Sequence, residues 1–248
     1  MRLLLKLRAE KDFSYDKKYF HKLRGFLYSL LDGTEYNPHN NESYKHFCFS
    51  NVFPVKDFKK GDIRNLLISS PDKNFLRFLC GRLYEIKQFK EDICIGEYFF
   101  RLAAVNYVKT FIDSSVELIT GTPIVIRIPK YNYKKYGIKS KRPYEYWRKE
   151  YDFTAFIKQL TENLIKKYND IYDENIKDIN LFQEFIFKKE VCVHRIENGK
   201  EVKTVGSLWK FKFDHLDKLH RKILWVGLES GFGGLNSSGF GFMNEVEK

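Results

Sequence analysis

The segment Gly231-Phe232-Gly233-Gly234-Leu235-Asn236-Ser237-Ser238-Gly239-Phe240-Gly241 carries two Gly-Phe-Gly units separated by five residues. Glycine takes positive φ readily and lets other backbone approach closely, so the spacing describes a backbone shape, with Phe232 and Phe240 as its anchors. Upstream, Leu216 to Leu228 has helical periodicity; downstream, Gly239 to Val246 reads as a strand. A loop running from helix to strand is not a dinucleotide fingerprint, which opens a helix. The helix ahead of it turns its negative end toward the loop, an arrangement that disfavours anions. Two readings stay open: successive amides forming a nest for phosphate, or glycines that allow tight packing.

Working outward, Lys203–Phe213 and Phe182–Ile196 alternate in polarity and flank Glu197-Asn198-Gly199-Lys200, a hairpin turn. Before them, Phe156, Ile157, Leu160, Leu164 and Ile165 mark one face of a helix from Phe153 to Tyr168. Val116 to Ile128 is one long strand or a strand pair, broken at Gly121-Thr122-Pro123. The first half has the same order. Leu3, Leu5 and Leu7 alternate with Leu4, Lys6 and Arg8 in a first strand. A helix from Asp16 to Leu31 follows, then strands at His46–Phe53 and Asp62–Ser70. A helix opened by Pro71 carries Phe75, Leu76, Leu79, Leu83 and Ile86, and Tyr98–Tyr107 closes the unit. The expectation is an α+β chain of two tandem ferredoxin-like (RRM-like, β-α-β-β-α-β) domains, 1–110 and 111–248.

The 248 residues carry 44 Lys and Arg against 32 Asp and Glu, a formal charge of +12. With 23 Phe and 16 Tyr, the balance favours a polyanionic partner such as nucleic acid, although a Lys-, Ile-, Asn- and Tyr-rich composition would give the same numbers. Between Lys130 and Lys149, eight basic residues (Lys130, Lys134, Lys135, Lys139, Lys141, Arg142, Arg148 and Lys149) are interleaved with Tyr131, Tyr133, Tyr136, Tyr144, Tyr146 and Trp147. Cations that track phosphates beside aromatics that stack on bases suit RNA; a solvated basic loop is the plainer alternative. Cys48, Cys80, Cys94 and Cys192 lack ligand spacing and read as reduced core thiols. Lys6 and Arg8 interrupt the apolar start, which argues against a signal peptide, and no stretch is long enough to span a membrane. A cytoplasmic protein with no membrane partner is expected.

The carboxylates are dispersed among lysines, so a two-metal nuclease site is not expected, and neither is any other metal or cofactor. RNA offers another route, because the ribose 2′-hydroxyl is a nucleophile already held beside phosphorus. Cutting then needs a base, a cation and an acid. Tyr28, His39 and Lys45 could serve, though each also reads as an ordinary core-edge or solvated residue, and His46 is an alternative to His39.

The two units Gly231-Phe232-Gly233 and Gly239-Phe240-Gly241, the helix ending Gly25-Phe26-Leu27-Tyr28, and Gly121-Thr122-Pro123-Ile124 together resemble a known family. This is the CRISPR-associated endoribonuclease that processes precursor CRISPR RNA, within the RAMP superfamily. The resemblance spans nearly the whole chain. It implies Tyr28 as general base, His39 as general acid and Lys45 as the cation facing the transition state. It also implies metal-independent cleavage within repeats, leaving a 2′,3′-cyclic phosphate and a 5′-hydroxyl. RNA is expected to be held by Gly231, Phe232, Gly233, Asn236, Ser237, Gly239 and Gly241, and by Lys130, Lys134, Lys135, Lys141 and Arg142. The implied partners are CRISPR repeat RNA and subunits of an interference complex, with the chain a monomer or homodimer. A RAMP protein that binds repeat RNA without cutting it is the other reading, and a metal-dependent nuclease a third.

Overall fold

The computed structural model describes residues 1–16, 20–37, 46–197 and 200–246, with side chains left out of account at 20–21, 195–197 and 200. The chain divides into two compact units: Met1–Thr110 together with Ser237–Gly239, and Phe111–Asn236 together with Phe240–Lys248.

In the first unit, β1 (Arg2–Ala9) buries Leu3, Leu5 and Leu7 completely while Lys6 and Arg8 face solvent, the period-2 consequence of the pleat. Helix α1 (Phe20–Ser29) and α2 (Lys73–Gln88) are joined through β2 (Cys48–Phe49) and β3 (Ile63–Ser69). Strands β4 (Asp92–Ile95) and β5 (Tyr98–Val108) complete a sheet ordered β2-β3-β1-β5-β4. Removing β4 leaves β-α-β-β-α-β with antiparallel neighbours, the ferredoxin-like arrangement. Asp72, not Pro71, starts α2, its carboxylate accepting from the amides of Asn74 at 2.7 Å and Phe75 at 3.2 Å. The expected strand over His46–Phe53 shortens to two residues, with an isolated bridge from Phe53 to Asn65. The β4–β5 hairpin was not read from the sequence. Leu23 and Leu27 of α1 and Phe75, Leu76, Leu79 and Leu83 of α2 join the β1 leucines in one core, each buried side chain contributing about 1.5–3 kcal/mol.

The second unit repeats the order with an insertion. Strand β6 (Val116–Thr120) is followed by a separate two-stranded ribbon, β7 (Arg127–Pro129) and β8 (Tyr144–Tyr146), before α3 (Phe153–Tyr172). Thus Val116 to Ile128 is neither one strand nor one pair; Gly121-Thr122-Pro123 turns the chain out of the sheet. Strands β9 (Glu184–Glu197) and β10 (Lys200–Phe213), helix α4 (Lys218–Ser230) and β11 (Met243–Glu245) give the sheet β11-β6-β10-β9. The residues at the β9–β10 turn, Asn198 and Gly199, lie outside the described residues. The last strand is shorter than Gly239–Val246 because Asn236–Ser238 forms a 3₁₀ turn and the backbone stays irregular until Met243.

Along β10, Trp209, Phe211 and Phe213 point inward while Lys210 and Lys212 pair outward with Glu117 and Glu184. The Phe156 ring stacks on Trp209 with centroids 4.2 Å apart, and Trp147 meets Phe156 edge-on at 4.9 Å. The cysteines divide: Cys48 and Cys80 are buried as expected, but Cys94 and Cys192 are exposed. The alternation of β4, with Ile93 and Ile95 inward, turns Cys94 outward, so these two are not core thiols. No helix among the described residues is long and apolar enough to cross a membrane.

All three tryptophans belong to the second unit, so intrinsic fluorescence reports its unfolding selectively. Phe156→Ala should lower the stability read this way by about 3–5 kcal/mol. An unchanged urea midpoint would mean that the aromatic stack does not hold this core.

Candidate nucleic-acid interface

Helix α4 ends at Gly231, and the chain then folds back on itself in a loop whose donors are largely spent internally. The Phe232 amide donates to the Gly241 carbonyl at 2.8 Å, Gly234 to Val125 at 2.9 Å, Phe240 to Leu235 at 3.3 Å and Gly241 to Pro123 at 2.8 Å. These amides are therefore not a phosphate nest, and the packing reading holds for them. Two glycines show why. Gly233 has φ +71°, and a Cβ there would lie 2.6 Å from the Val125 carbonyl oxygen. Gly241 has the same φ, and a Cβ there would overlap the Phe232 carbonyl. Phe232 and Phe240 are fully buried, so they are anchors as expected, but the Phe232 ring packs on Phe182 and Phe211 and cannot stack on a base.

Two side chains lock the loop. Asn236, itself buried, donates through Nδ2 to the carbonyls of Phe232 at 3.2 Å and Phe240 at 3.0 Å. Lys167, from α3, donates through Nζ to Gly231 O at 2.6 Å, Gly233 O at 2.9 Å and Asn236 Oδ1 at 2.7 Å. The ammonium thus sits at the C-terminal carbonyls of α4 and offsets the negative end of its dipole. That removes the electrostatic objection to an anion near the loop. Gly121 and Thr122 bind the same loop from the other side: the Gly121 amide donates to Phe242 O at 2.8 Å, and Thr122 Oγ1 accepts from the Phe242 amide at 2.8 Å. The Gly121-Thr122-Pro123 and glycine-loop signatures are therefore one structural object. Sequence reading missed Lys167; its only signal was a lysine beside the apolar face of α3, and nothing local distinguished it from Lys166.

The ribbon sorts the aromatics of the basic segment. Tyr133 and Trp147 go to the core, so neither is a stacking platform. Ile128 and Glu145 face inward from the ribbon, while Arg127, Tyr144 and Tyr146 share its other side. The Arg127 guanidinium lies 4.6 Å from the Tyr144 ring centroid, and Tyr144 meets Tyr146 edge-on at 5.6 Å. Tyr131 is 82% exposed. Lys130, Lys134, Lys135, Lys141 and Arg142 are all exposed, with Arg142 partly committed to Glu145 at 3.7 Å. Glu145 is buried and accepts from Ser140 Oγ at 2.6 Å. Arg127 was absent from the expected set and belongs with this cationic face.

Of the three expected catalytic groups, His39 and Lys45 lie outside the described residues. Tyr28, near the C-terminal end of α1, is half-buried against the first core, and its hydroxyl donates to Ser237 Oγ at 3.3 Å. Both residues fall in the first compact unit, since Ser237–Gly239 groups there. Gly239, with φ +92°, follows in the same three-residue segment. His46 precedes β2 and is half-buried, and its carbonyl accepts from Ser70 Oγ at 2.8 Å. Among the described residues, no group of three or more His, Cys, Asp or Glu is placed to hold a metal ion.

Replacing Lys167 by Met would strip three acceptors of a charged donor. It should lower the stability of the second unit by about 3 kcal/mol, read by tryptophan fluorescence in urea. A midpoint matching the parent chain would show that the ammonium does not hold the loop.

The family model for CRISPR associated protein Cas6, C-terminal, matches residues 106–245. The chain is 33% identical to the CRISPR-associated endoribonuclease Cas6 2 of Methanocaldococcus jannaschii, with both chains covered completely. It is 30% identical to the CRISPR-associated endoribonuclease Cas6 of Haloferax mediterranei, covering 100% of this chain and 94% of that one. A solved structure of a CRISPR associated protein Cas6 superposes with a TM-score of 0.73 at 22% identity, over 100% of this chain and 99% of the other. With relatives at this identity along its full length, the chain belongs to the Cas6 family of CRISPR-associated endoribonucleases.

Proposed function

We propose that the chain cuts precursor CRISPR RNA within its repeats by metal-independent transesterification. Tyr28, in its phenolate form, takes the proton of the ribose 2′-hydroxyl, whose oxygen attacks the adjacent phosphorus. The bond from phosphorus to the 5′-oxygen breaks, and His39 protonates that leaving oxygen. Lys45 faces the charge that builds on the phosphorane. The products are a 2′,3′-cyclic phosphate and a 5′-hydroxyl, with no water consumed in the step. The exposed face of Arg127, Lys130, Tyr131 and Lys134 supports binding of the strand. The product is then handed to subunits of an interference complex.

The observation that carries this reading is the Tyr28–Ser237 contact at 3.3 Å, which joins the candidate base to the segment between the two Gly-Phe-Gly units. A base needs to lie within hydrogen-bond reach of its proton source, and half-burial against the core fixes the phenol ring. The argument for metal independence is chemical: RNA supplies its own nucleophile, so proximity is provided before the protein acts.

Purified chain should cleave repeat RNA at an undiminished rate in EDTA, and a single 2′-deoxynucleotide 5′ of the cut should abolish cleavage while leaving binding intact. His39→Ala should slow the reaction by roughly 10²–10⁴. Loss of activity on chelation would replace this route with a metal-dependent one. Saturating binding without cleavage would reduce the chain to a binding protein, and a larger loss in His46→Ala than in His39→Ala would move the acid to His46.

A further inference from the structure

The edge of a β-sheet offers unpaired N–H and C=O groups to any further strand, and chains blunt such edges with short strands, lysines or bulges. Three edge strands here are short: β2 has two residues, β11 three and β4 four. The long edge strand β9 carries Lys188, Lys189 and Glu190, with a register shift between the Phe187–Trp209 and Lys189–Leu208 pairs. Strand β5 is different. Its outer partner β4 pairs only with Tyr98–Arg101, so on that side nothing among the described residues pairs with the rest of the strand. The stretch from Leu102 to Val108 contains no charged residue. Ala103 is left without an opposite residue where the β1 register shifts, and Ala104–Val108 then runs as regular strand against Lys6 to Arg2. Asn106, Tyr107 and Val108 are exposed.

Helix α2 packs on β5 and adds a shelf beside this open edge. Tyr107 stands opposite the fully buried Leu3, so its side chain leaves the sheet on the helix side, where it meets Cys80, Arg77 and Tyr84 of α2. Tyr84 is 53% exposed and Tyr107 45%, which leaves two rings open next to unpaired backbone. The charge at this end is of one sign. Arg77, exposed, donates to Asn74 Oδ1 at 3.4 Å, and exposed Lys109 follows Val108; among the described residues neither is paired with a carboxylate. Backbone groups, aromatic shelf and cations all lie in the first unit.

We propose that the open edge of β5 takes an extended segment of a partner protein as an added antiparallel strand. The guest carries an uncharged, β-branched run along Ala104–Val108 and carboxylates at its amino end. Antiparallel pairing sets that amino end beside Val108, where Arg77 and Lys109 meet the carboxylates. The guest backbone satisfies the free N–H and C=O groups, and alternate side chains rest on Tyr84 and Tyr107, the division of labour in β-strand addition. A second copy of this chain fits worse. It carries +12 itself, and its own uncharged edge would bring no carboxylate to Arg77 and Lys109. The docking surface makes no use of the RNA-cutting chemistry, so either reading can fail without the other.

The test is fluorescence anisotropy on the full chain with two peptides labelled at their carboxyl ends, Asp-Glu-Val-Thr-Val-Thr-Val and Lys-Lys-Val-Thr-Val-Thr-Val. The acidic peptide should bind at least about tenfold more tightly than the basic one, which sets like charges against Arg77 and Lys109. Reversing both cations, Arg77→Glu with Lys109→Glu, should reverse that order. A strand's amides point alternately toward the edge and away from it, so N-methylation of alternate amides in the acidic peptide should cost about tenfold or more in one alternation and little in the other. This last comparison needs no variant and stands even if the double substitution fails to fold. No binding of the acidic peptide, equal affinity for both peptides, or equal effects of the two methylation patterns overturns the proposal. So does a dimer in sedimentation that the acidic peptide dissociates, which would give the edge to a second copy.

Discussion

The ammonium of Lys167 is the point on which the second unit's business end turns. Three oxygens, from Gly231, Gly233 and Asn236, converge on it within 2.9 Å. Without a cation there, the C-terminal carbonyls of α4 and the bent carbonyls of the loop would present concentrated partial negative charge. With it, α3, α4 and the loop are tied at one place, and Asn236 transmits the tie to Phe232 and Phe240 through its own donors. Charge-assisted bonds of this kind are roughly twice as strong as neutral ones, and they fix direction as well as distance. A nucleic acid therefore meets a preformed surface rather than a floppy glycine run.

Much of the fold was legible because it follows from periodicity. The Leu3, Leu5, Leu7 alternation, the apolar face of α2 and the inward aromatics of β10 each announce an element and the side it buries. The two β-α-β-β-α-β units appear in the strand orders β2-β3-β1-β5 and β11-β6-β10-β9. What escaped was structure carried by segments too short to show a pattern. The ribbon of β7 and β8 pairs two strands of three residues each, and three residues carry no readable period. The β4–β5 hairpin turns on Gly96, one glycine in a short segment. At the interface the cationic segment was visible, but the fate of its rings was not. Tyr133 and Trp147 look no different in sequence from Tyr131, yet core packing claims the first two and leaves the third in solvent.

The glycine loop shows a similar limit. Spacing revealed that backbone must approach backbone, but not which groups would fill the gap. The amides that sequence reading offered to phosphate are taken by Pro123, Val125, Leu235 and Gly241. On the function proposed above, recognition of RNA falls to side chains around the loop, with Arg127 and the exposed lysines of the 130–142 segment the nearest in sequence to the strands that frame it. The chain's surplus of +12 is consistent with this division, in which shape comes from an interior ion and attraction from exterior ones.

The overlap that any side chain at Gly241 would make with the Phe232 carbonyl has an implication for how such chains are detected. The double Gly-Phe-Gly signature is a stereochemical requirement of a knot-like closure, imposed whether or not a scissile bond is ever presented. Chains that retained the architecture while losing their acid or base would keep the signature intact. Its presence therefore speaks to shape, and, on the catalytic assignment proposed above, diagnosis of cleavage has to come from the other half of the polypeptide.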